Sequence, residues 1–270
     1  MGARSHRLTP PSTGGTSRRR LDLALVDRGL AASRERARAL VLAGRVRVND
    51  RPATKAGMLV GPDDRLALTA PDHPYVGRGA LKLAHALDAF GIVVAGRTAL
   101  DIGASTGGFT EVLLERGAAR VVALDVGRGQ LAWRLRTDPR VVVLEGLNAR
   151  HLTPDRLPAD LRRFGLVTID VSFISLRLVL PVVPPLVEPQ ADVVALVKPQ
   201  FEAGRHEVGR GGVVRDPGVH ARVIEEIAAA ADRIGLTRLS VEPSPIAGAE
   251  GNVEFFMHLR PAARASHPPA

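Results

Sequence analysis

The chain has 270 residues, of which 45% are hydrophobic, and a formal net charge of +9 at pH 7. Its length allows one large or two smaller domains, and no apolar run approaches the roughly 20 residues of a membrane span, so we expect no membrane association. It has no Cys and its eight His residues are scattered, which excludes disulfides and cysteine-based metal sites, and we expect no metal.

The basic excess predicts a polyanionic partner, most simply nucleic acid, although an Arg-rich composition without a partner is the alternative. The basic N-terminus is not followed by the apolar segment of a signal peptide, so we expect a cytoplasmic protein. Only three of the 37 basic residues are Lys, namely Lys55, Lys82 and Lys198. An amine can lose its proton where a guanidinium cannot, so Lys82 and Lys198 are candidates for a chemical role.

Residues 1–19 are predicted to be a disordered basic tail, and residues 20–69 a compact unit. Arg and Val alternate with period two over residues 45–48, which predicts a strand with one basic face, and Ser33 is a plausible helix N-cap. The expected RNA contacts of this unit are Arg20, Arg34, Arg36, Arg45, Arg47 and Arg51. A solvated Arg face without a partner is the alternative.

Residues 20–69 resemble the small RNA-binding domain first seen in a ribosomal small-subunit protein. The resemblance rests on the order and spacing of Arg-Leu-Asp, Gly-Leu, Ser-Arg and Ala-Gly-Arg-Val. Residues 70–79 are predicted to be a linker, and residues 263–270 a tail. Between them, residues 80–262 alternate strand and helix. We therefore expect a Rossmann-like α/β domain whose seven-stranded, mostly parallel sheet has an antiparallel last strand. The predicted strands are 98–102, 121–126, 141–144, 166–170, 192–198, 236–242 and 252–260.

A glycine-rich turn in residues 99–109 predicts a nucleotide-type site, because its glycines let backbone approach a ligand. Asp125, 22 residues after Gly103, is placed to accept ribose hydroxyls. Ser105 replaces the second glycine of the dinucleotide fingerprint, which favours S-adenosylmethionine over a nicotinamide cofactor. A ligand-free turn is the other alternative. The expected cofactor contacts are Asp101, Gly103, Ala104, Ser105, Gly107, Gly108, Phe109, Asp125, Val126, Asn148 and Asp170.

Four ionisable residues are expected to converge where the predicted strands end, namely Lys82, Asp170, Lys198 and Glu254. Charges exposed at separate strand ends are the alternative. This set resembles the catalytic tetrad of FtsJ-type ribose 2′-O-methyltransferases. Asp-Val-Ser-Phe-Ile-Ser-Leu, Leu-Val-Lys-Pro-Gln-Phe-Glu-Ala-Gly and Gly-Asn-Val-Glu-Phe extend the resemblance to the TlyA family of hemolysin A-like ribosomal RNA methyltransferases. Gly77, Arg128 and Gly146-Leu147 depart from the family pattern.

The resemblance implies an S-adenosylmethionine-dependent transfer of a methyl group to a ribose 2′-hydroxyl, with ribosomal RNA or ribosomal subunits as partner. Lys198 is our candidate for the base, with Lys82 as a nearby cation that lowers its pKa and with Asp170 and Glu254 positioning the amines. The four residues are expected to titrate together, so the base is not assigned firmly. Arg205 and Arg210 lie in a Gly-rich loop that is expected to cover bound RNA, or else is an ordinary surface loop.

Three other functions stay open at this point: a membrane-active hemolysin, an RNA-binding factor with an inactive methyltransferase domain, and a nicotinamide oxidoreductase. The sequence leaves undecided which nucleotide is methylated, whether naked RNA or an assembled subunit is the substrate, and what the oligomeric state is.

Overall fold

The computed structural model describes residues 18–31, 33–42, 44–69 and 74–262. The chain divides into two compact units, Met1–Pro74 and Tyr75–Ala270. The predicted tails 1–19 and 263–270 lie outside the described residues except for Arg18 and Arg19, as does the 70–73 part of the predicted linker. The domain boundaries given from the sequence stay a prediction.

The first unit packs two helices against short strands. Helix α1 (Leu21–Asp27) is followed by Gly29 in the left-handed region, and α2 (Arg34–Leu42) begins after Ser33. Ser33 Oγ accepts a hydrogen bond from the Arg36 amide at 3.1 Å, which confirms the predicted cap. The strands are β1 (Arg19–Arg20), β2 (Val46–Val48), β3 (Arg51–Pro52), β4 (Leu59–Val60) and β5 (Leu66–Leu68).

Strand β2 shows the predicted two-residue period, since Val46 and Val48 are buried and Arg47 is exposed. It lies between β3 and β5, while β1 pairs with β4. Asn49 and Asp50 both have positive φ angles, 50° and 66°, and form the turn between β2 and β3. This is the conformation of a tight two-residue hairpin turn, for which Asn and Asp are favoured.

The second unit is a seven-stranded sheet covered by helices. Its strands are β6 (Thr98–Ile102), β7 (Arg120–Asp125), β8 (Val141–Glu145), β9 (Phe164–Ile169), β10 (Val187–Val197), β11 (Leu236–Pro243) and β12 (Phe255–Pro261). Its helices are α3 (Gly79–Ala89), α4 (Gly108–Glu115), α5 (Trp133–Arg136), α6 (Leu176–Val179), α7 (Pro199–Glu202) and α8 (Pro217–Asp232).

The strand order is β11-β12-β10-β9-β6-β7-β8, and β12 runs antiparallel to both of its neighbours while β6 to β10 are parallel. The predicted fold class is therefore confirmed. Strand β10 begins five residues before its predicted start. Helices α5, α6 and α7 have four residues each and were not predicted, because one turn is too short to show a hydrophobic period.

Apolar side chains alternate between two buried layers along the strands. In β6, Leu100 and Ile102 belong to the layer under α6 and α8, whereas Ala99 belongs to the layer under α3 and α4. Burial of each such Leu or Ile side chain contributes on the order of 2 kcal/mol. Both faces are thus dry, which explains why the parallel strands read as nearly continuous apolar runs.

One edge of the sheet collects the ends of the parallel strands and the beginning of β12; we call it the carboxyl edge. Ala195 of β10 pairs with Ile169 of β9, and Val197 pairs with Phe255. Asp170, Lys198 and Glu254 therefore leave three adjacent strands at this edge, as the sequence predicts.

A buried carboxylate organises the first unit. The Asp22 side chain is fully buried, and it accepts bonds from Arg20 Nη2 at 2.9 Å and from Arg34 Nε at 3.0 Å. The hydrogen bonds from Arg20 are the main cause that lowers the Asp22 pKa to about 2, with a smaller contribution from Arg34. Because the folded-state pKa lies below the unfolded value, this stabilisation is present above about pH 4 and is lost as the pH falls through 2.

We expect Asp22→Asn to weaken the first unit by about 1–2 kcal/mol at pH 7, since both Arg partners are half-exposed and the pairing is partly screened. The measurement is hydrogen–deuterium exchange of backbone amides in residues 21–68 of the full chain. Asp27→Asn is the matched control, because the Asp27 pair with Arg19 is exposed at both ends. Equal protection in the two variants would contradict the role of Asp22.

Candidate active site

A cavity of about 770 Å³ opens at the carboxyl edge. Its walls come from the ends of β6, β7, β8 and β9. The predicted cofactor residues that line it are Gly103, Ser105, Asp125, Val126, Asn148 and Asp170. The volume and the mix of apolar and polar walls are those of a small-molecule site.

A second cavity of about 130 Å³ adjoins the first and shares Gly103, Ser105 and Asp170 with it. The additional predicted residues along its wall are Ala104, Gly108 and Phe109. Asp101 and Gly107 line neither cavity. The structure thus brings nine of the eleven predicted cofactor residues to one connected site and places two beneath it.

The Asp125 carboxylate is fixed by backbone donors. Its Oδ2 accepts from the Ser105 amide at 2.7 Å, and its Oδ1 accepts from the Gly127 amide at 2.7 Å. Ser105 has a positive φ of 49°, so this bond also holds the turn in a conformation that Ser rarely adopts. Each carboxylate oxygen keeps acceptor capacity, which leaves Asp125 able to receive hydroxyl groups from the cavity.

Each glycine of the turn lies in close contact with other atoms of the protein, at the position that a Cβ would occupy. A Cβ at Gly103 would lie 2.1 Å from the backbone oxygen of Asp170, and one at Gly107 would lie 2.3 Å from a Leu135 methyl carbon. At Gly108 a Cβ would approach the Ala80 amide nitrogen to 2.9 Å. These glycines therefore allow close packing within the protein, while Gly103 and Gly108 also line the cavities. Their role in letting backbone approach a ligand stays a prediction.

Asp101 is fully buried below the turn, on the face of β6 that α4 covers. It accepts hydrogen bonds from Thr110 Oγ1 at 2.7 Å and from Thr168 Oγ1 at 3.0 Å. Burial raises its pKa to about 7, and the two hydroxyls oppose that rise only in part. Asp101 thus holds β6, β9 and α4 together from inside.

The four predicted ionisable residues form two ion pairs. Lys82 Nζ lies 2.5 Å from Glu254 Oε2, and Lys198 Nζ lies 2.6 Å from Asp170 Oδ1. Lys198 also donates to Ser172 Oγ at 2.9 Å. Both lysines are about nine-tenths buried. Glu254 requires Gly248 beside it, since a Cβ there would meet Glu254 Oε1 at 2.0 Å.

These pairs refine the expectation from the sequence in two respects. Each amine has a carboxylate as its nearest charged partner, whereas the sequence hypothesis placed Lys82 next to Lys198 as a cation. Of the four residues, Asp170 alone lines the cavities, and Lys198 stands behind Asp170 and Ser172. Asp170 also approaches the start of α3, the helix of Lys82, since its Oδ2 would lie 3.9 Å from a Cβ at Gly79.

Several lining residues were not predicted, and the segment after β9 supplies most of them. Ser172 and Phe173 line the larger cavity, and Phe173 is 92% exposed with a φ of 63°. Gln130 lines it from the β7 side and contacts Ser105 Oγ. The Ser-Phe pair stood in the quoted motif beside Asp170 and was the available signal, whereas nothing in the local pattern marked Gln130.

Two departures from the family pattern contact each other next to this site. A Cβ at Gly146 would lie 2.6–2.7 Å from the guanidinium of Arg128, so Arg128 lies against the bare backbone there. Gly146 also has a φ of 74°. The pair borders the turn that carries Leu147 and Asn148, two lining residues.

The predicted RNA-contacting arginines are mostly exposed. In the first unit, Arg20 and Arg34 share the Asp22 carboxylate, and Arg47 Nη1 donates to the Asp50 backbone oxygen at 3.0 Å. Arg51 is exposed, while Arg36 and Arg45 are half-buried. In the second unit, Arg205 and Arg210 are both exposed on the loop after α7.

That loop is anchored at its far end. The Val214 amide donates to Asn252 Oδ1 at 3.0 Å, and Asn252 Nδ2 donates to the Gly212 oxygen at 2.9 Å. His220 Nε2 lies 3.0 Å from the Val214 oxygen. The basic tip therefore projects from a fixed base, and its movement over a ligand stays a prediction.

Two family models match the chain. The FtsJ-like methyltransferase model covers residues 75–261, and the S4 domain model covers residues 19–66. The chain belongs to the FtsJ-like methyltransferase family. Its second unit is thus a methyltransferase domain, which confirms the predicted enzyme class, and its first unit is an S4 domain.

Similar proteins that span most of this chain narrow the family further. It is 53% identical over 244 residues to the 16S/23S rRNA (cytidine-2′-O)-methyltransferase TlyA of Mycobacterium tuberculosis, covering 90% of each chain. It is 37% identical to Hemolysin A of Brachyspira hyodysenteriae, covering 89% of this chain and 99% of that one. A solved candidate hemolysin from Streptococcus thermophilus has 41% identity and a TM-score of 0.71, with 92% and 90% coverage. The predicted TlyA family is confirmed.

Membrane-spanning helices and metal-binding groups are two further features to consider in this FtsJ-like chain. Within residues 18–31, 33–42, 44–69 and 74–262, no helix has the length and apolarity to cross a membrane. Over the same described ranges, His, Asp and Glu side chains form no group of three or more able to hold a metal ion.

We expect the stability difference between wild type and Asp101→Asn to depend on pH. The folded-state pKa of Asp101 is raised to about 7, so its contribution is full below about pH 4 and is lost as the pH rises through 7. Between pH 4 and 8 the wild type should therefore lose on the order of 4 kcal/mol relative to the variant.

Urea unfolding monitored by Trp133, the one Trp of the chain, measures this in the second unit. Groups that titrate alike in both proteins cancel in the difference. A difference that stays constant over this pH range would show that Asp101 is ionised in the fold throughout.

Proposed function

We propose that this methyltransferase moves a methyl group from S-adenosylmethionine to the 2′-hydroxyl of a cytidine ribose in ribosomal RNA. The observation that carries the proposal is the placement of Asp170 on the wall of the cavity that Asp125 and Asn148 line, with Lys198 paired to Asp170 from behind that wall. The similarity to the rRNA (cytidine-2′-O)-methyltransferase TlyA supports the reaction and its substrate.

The cavity fits a nucleoside-type cofactor on its own chemistry. Asp125 offers carboxylate oxygens to ribose hydroxyls, and Asn148 and the apolar Val126 and Leu147 stand nearby for a base. The smaller cavity continues along the turn toward Gly108, where α4 begins. When bound, S-adenosylmethionine supplies an electrophilic methyl group on a sulfonium.

The residues at the carboxyl edge then have defined tasks. As the ribose oxygen bonds to the methyl carbon and the carbon–sulfur bond breaks, the hydroxyl proton must leave. Asp170 reaches the cavity wall, and Lys198 stands 2.6 Å behind it with a second bond to Ser172. We assign to this pair the orientation of the hydroxyl and the acceptance of its proton. The Lys82–Glu254 pair holds α3 against β12 beside it.

The RNA is proposed to contact both units. In the S4 domain the candidate contacts are Arg20, Arg34, Arg36, Arg45, Arg47 and Arg51. In the methyltransferase domain they are Arg205 and Arg210, on the exposed tip of the anchored loop. Guanidinium groups on phosphates make such binding salt-dependent. Since its proposed substrate is ribosomal RNA, we propose that the protein works in the cytoplasm.

We expect Lys198→Ala to lower methyl transfer by about 100-fold or more, because an amine that orients or deprotonates a nucleophile contributes at least that much. The assay follows labelled methyl from S-adenosylmethionine into rRNA or ribosomal subunits, with 2′-O-methyl mapping of the product. Calorimetry should show cofactor binding unchanged, since Lys198 does not line the cavity wall.

Lys55→Ala is the matched control, because Lys55 is an exposed lysine in the S4 domain. Equal transfer by the Lys198→Ala and wild-type proteins would remove Lys198 from the reaction. Cofactor binding by the wild type without methylation of any RNA would instead favour an RNA-binding factor with an inactive domain.

A further inference from the structure

A buried carboxylate outside the four ionisable residues ties two site segments together. Glu202, at the end of α7, is 6% exposed. Its Oε2 accepts the Ser175 hydroxyl hydrogen at 2.5 Å, and its Oε1 accepts the Leu176 amide at 2.7 Å. Helix α7 directly follows Lys198, and Ser175 ends the segment that follows Asp170. Glu202 thus links the chain after β10 to the chain after β9.

The segment between Asp170 and Ser175 needs such a link. Phe173 holds a left-handed backbone conformation that costs about 1–2 kcal/mol and persists only where the surroundings impose it. At the first end of the segment, Ser172 Oγ accepts from Lys198. At the other end, Glu202 accepts from Ser175 and Leu176. Two further contacts join the segment to α7: the Phe173 ring packs on the Phe201 ring with a centroid distance of 5.1 Å, and Arg177 Nη2 donates to the Glu202 backbone oxygen at 3.1 Å.

We propose that Glu202 is a positioning residue for methyl transfer. It fixes residues 171–176, so that Ser172 and Asp170 hold the Lys198 amine in place behind the cavity wall. Glu202 itself lines neither cavity and touches no reacting group. It acts through the segment that carries Ser172. This inference rests on the proposed function.

The two bonds use both carboxyl oxygens of Glu202 as acceptors. Ser175 Oγ already accepts from Arg177, through its backbone amide and its Nε, each at 3.2 Å, so the hydroxyl hydrogen is directed to Glu202. Glu202 therefore faces two donors and needs two acceptor oxygens. A glutamine offers one acceptor and one NH₂ donor, and leaves one of the two bonds unmade.

Burial raises the pKa of Glu202, and the charged groups around it are Arg177 at 3.6 Å and, with the opposite effect, Glu226. A buried carboxyl is costly unless donors meet it, and Ser175 and Leu176 supply those donors here. The geometry gives that carboxyl a use in holding the segment.

The test is single-turnover methyl transfer by Glu202→Gln in the full chain, with RNA and S-adenosylmethionine both saturating. We expect the rate at saturating cofactor to fall at least about tenfold, because small misplacement of reacting groups is costly. Any loss of cofactor affinity is removed from this rate by saturation, which matters because residues 171–175 line the larger cavity. If Glu202→Gln does not fold, Ser175→Ala, which removes one of the two donors, takes its place with a smaller expected fall.

Asp192→Asn is the matched control. Asp192 is also buried and accepts from Arg97, His258 and Arg260 at 2.6–2.8 Å, but it lies five residues before the end of β10, about 17 Å from the carboxyl edge. It should lower the melting temperature at least as much as Glu202→Gln and leave the transfer rate within about twofold.

Two results with an active wild type overturn the inference. A transfer rate for Glu202→Gln within twofold of wild type does so alone, and so does a parallel fall in Asp192→Asn, which would make the effect one of stability. A wild type that transfers no methyl group overturns the proposed function and this inference with it, so the two failures are distinguishable.

Discussion

The burial of three charges and the partial burial of a fourth, Asp170, at one edge of the sheet is the constraint on which the second unit depends. A single charge moved into a protein interior costs several kcal/mol unless a partner of opposite sign meets it there. Lys82 and Glu254 come from α3 and the start of β12, and Lys198 and Asp170 from the ends of β10 and β9. Each pair therefore forms only when segments distant in sequence have docked correctly, so assembly of the edge and completion of the site are one event.

Much of this arrangement follows from sequence pattern. Apolar strands alternating with amphipathic helices imply a parallel sheet, and a parallel sheet brings strand ends together. That reasoning alone places Asp170, Lys198 and Glu254 on one edge and Asp125 beside the turn. The Ser33 cap and the alternating burial in β2 are local signals of the same kind, and the structure has both.

Sequence patterns of this kind could not predict which charged side chains pair or how the segments pack. The sequence suggested that Asp170 and Glu254 position the two amines, but which lysine meets which carboxylate depends on side-chain directions that tertiary contacts fix. Glu202 stands in the quoted motif that contains Lys198, but its role could not be predicted from there because its partners lie 26 and 27 residues away in the chain. The helices α5, α6 and α7 are single turns whose formation is decided by the surfaces that they cap.

The close approach of Gly103 to the Asp170 backbone limits which residues can replace this glycine. A side-chain neighbour can rotate away from a new methyl group, but the backbone oxygen 2.1 Å from a Cβ at Gly103 belongs to a strand end held by hydrogen bonds on both sides. A substitution at Gly103 would therefore meet two obstacles, the nearby Asp170 oxygen and a φ of 89° that other residues rarely adopt. A glycine that looks like a mark of ligand recognition can instead record how closely two strands of one protein approach each other.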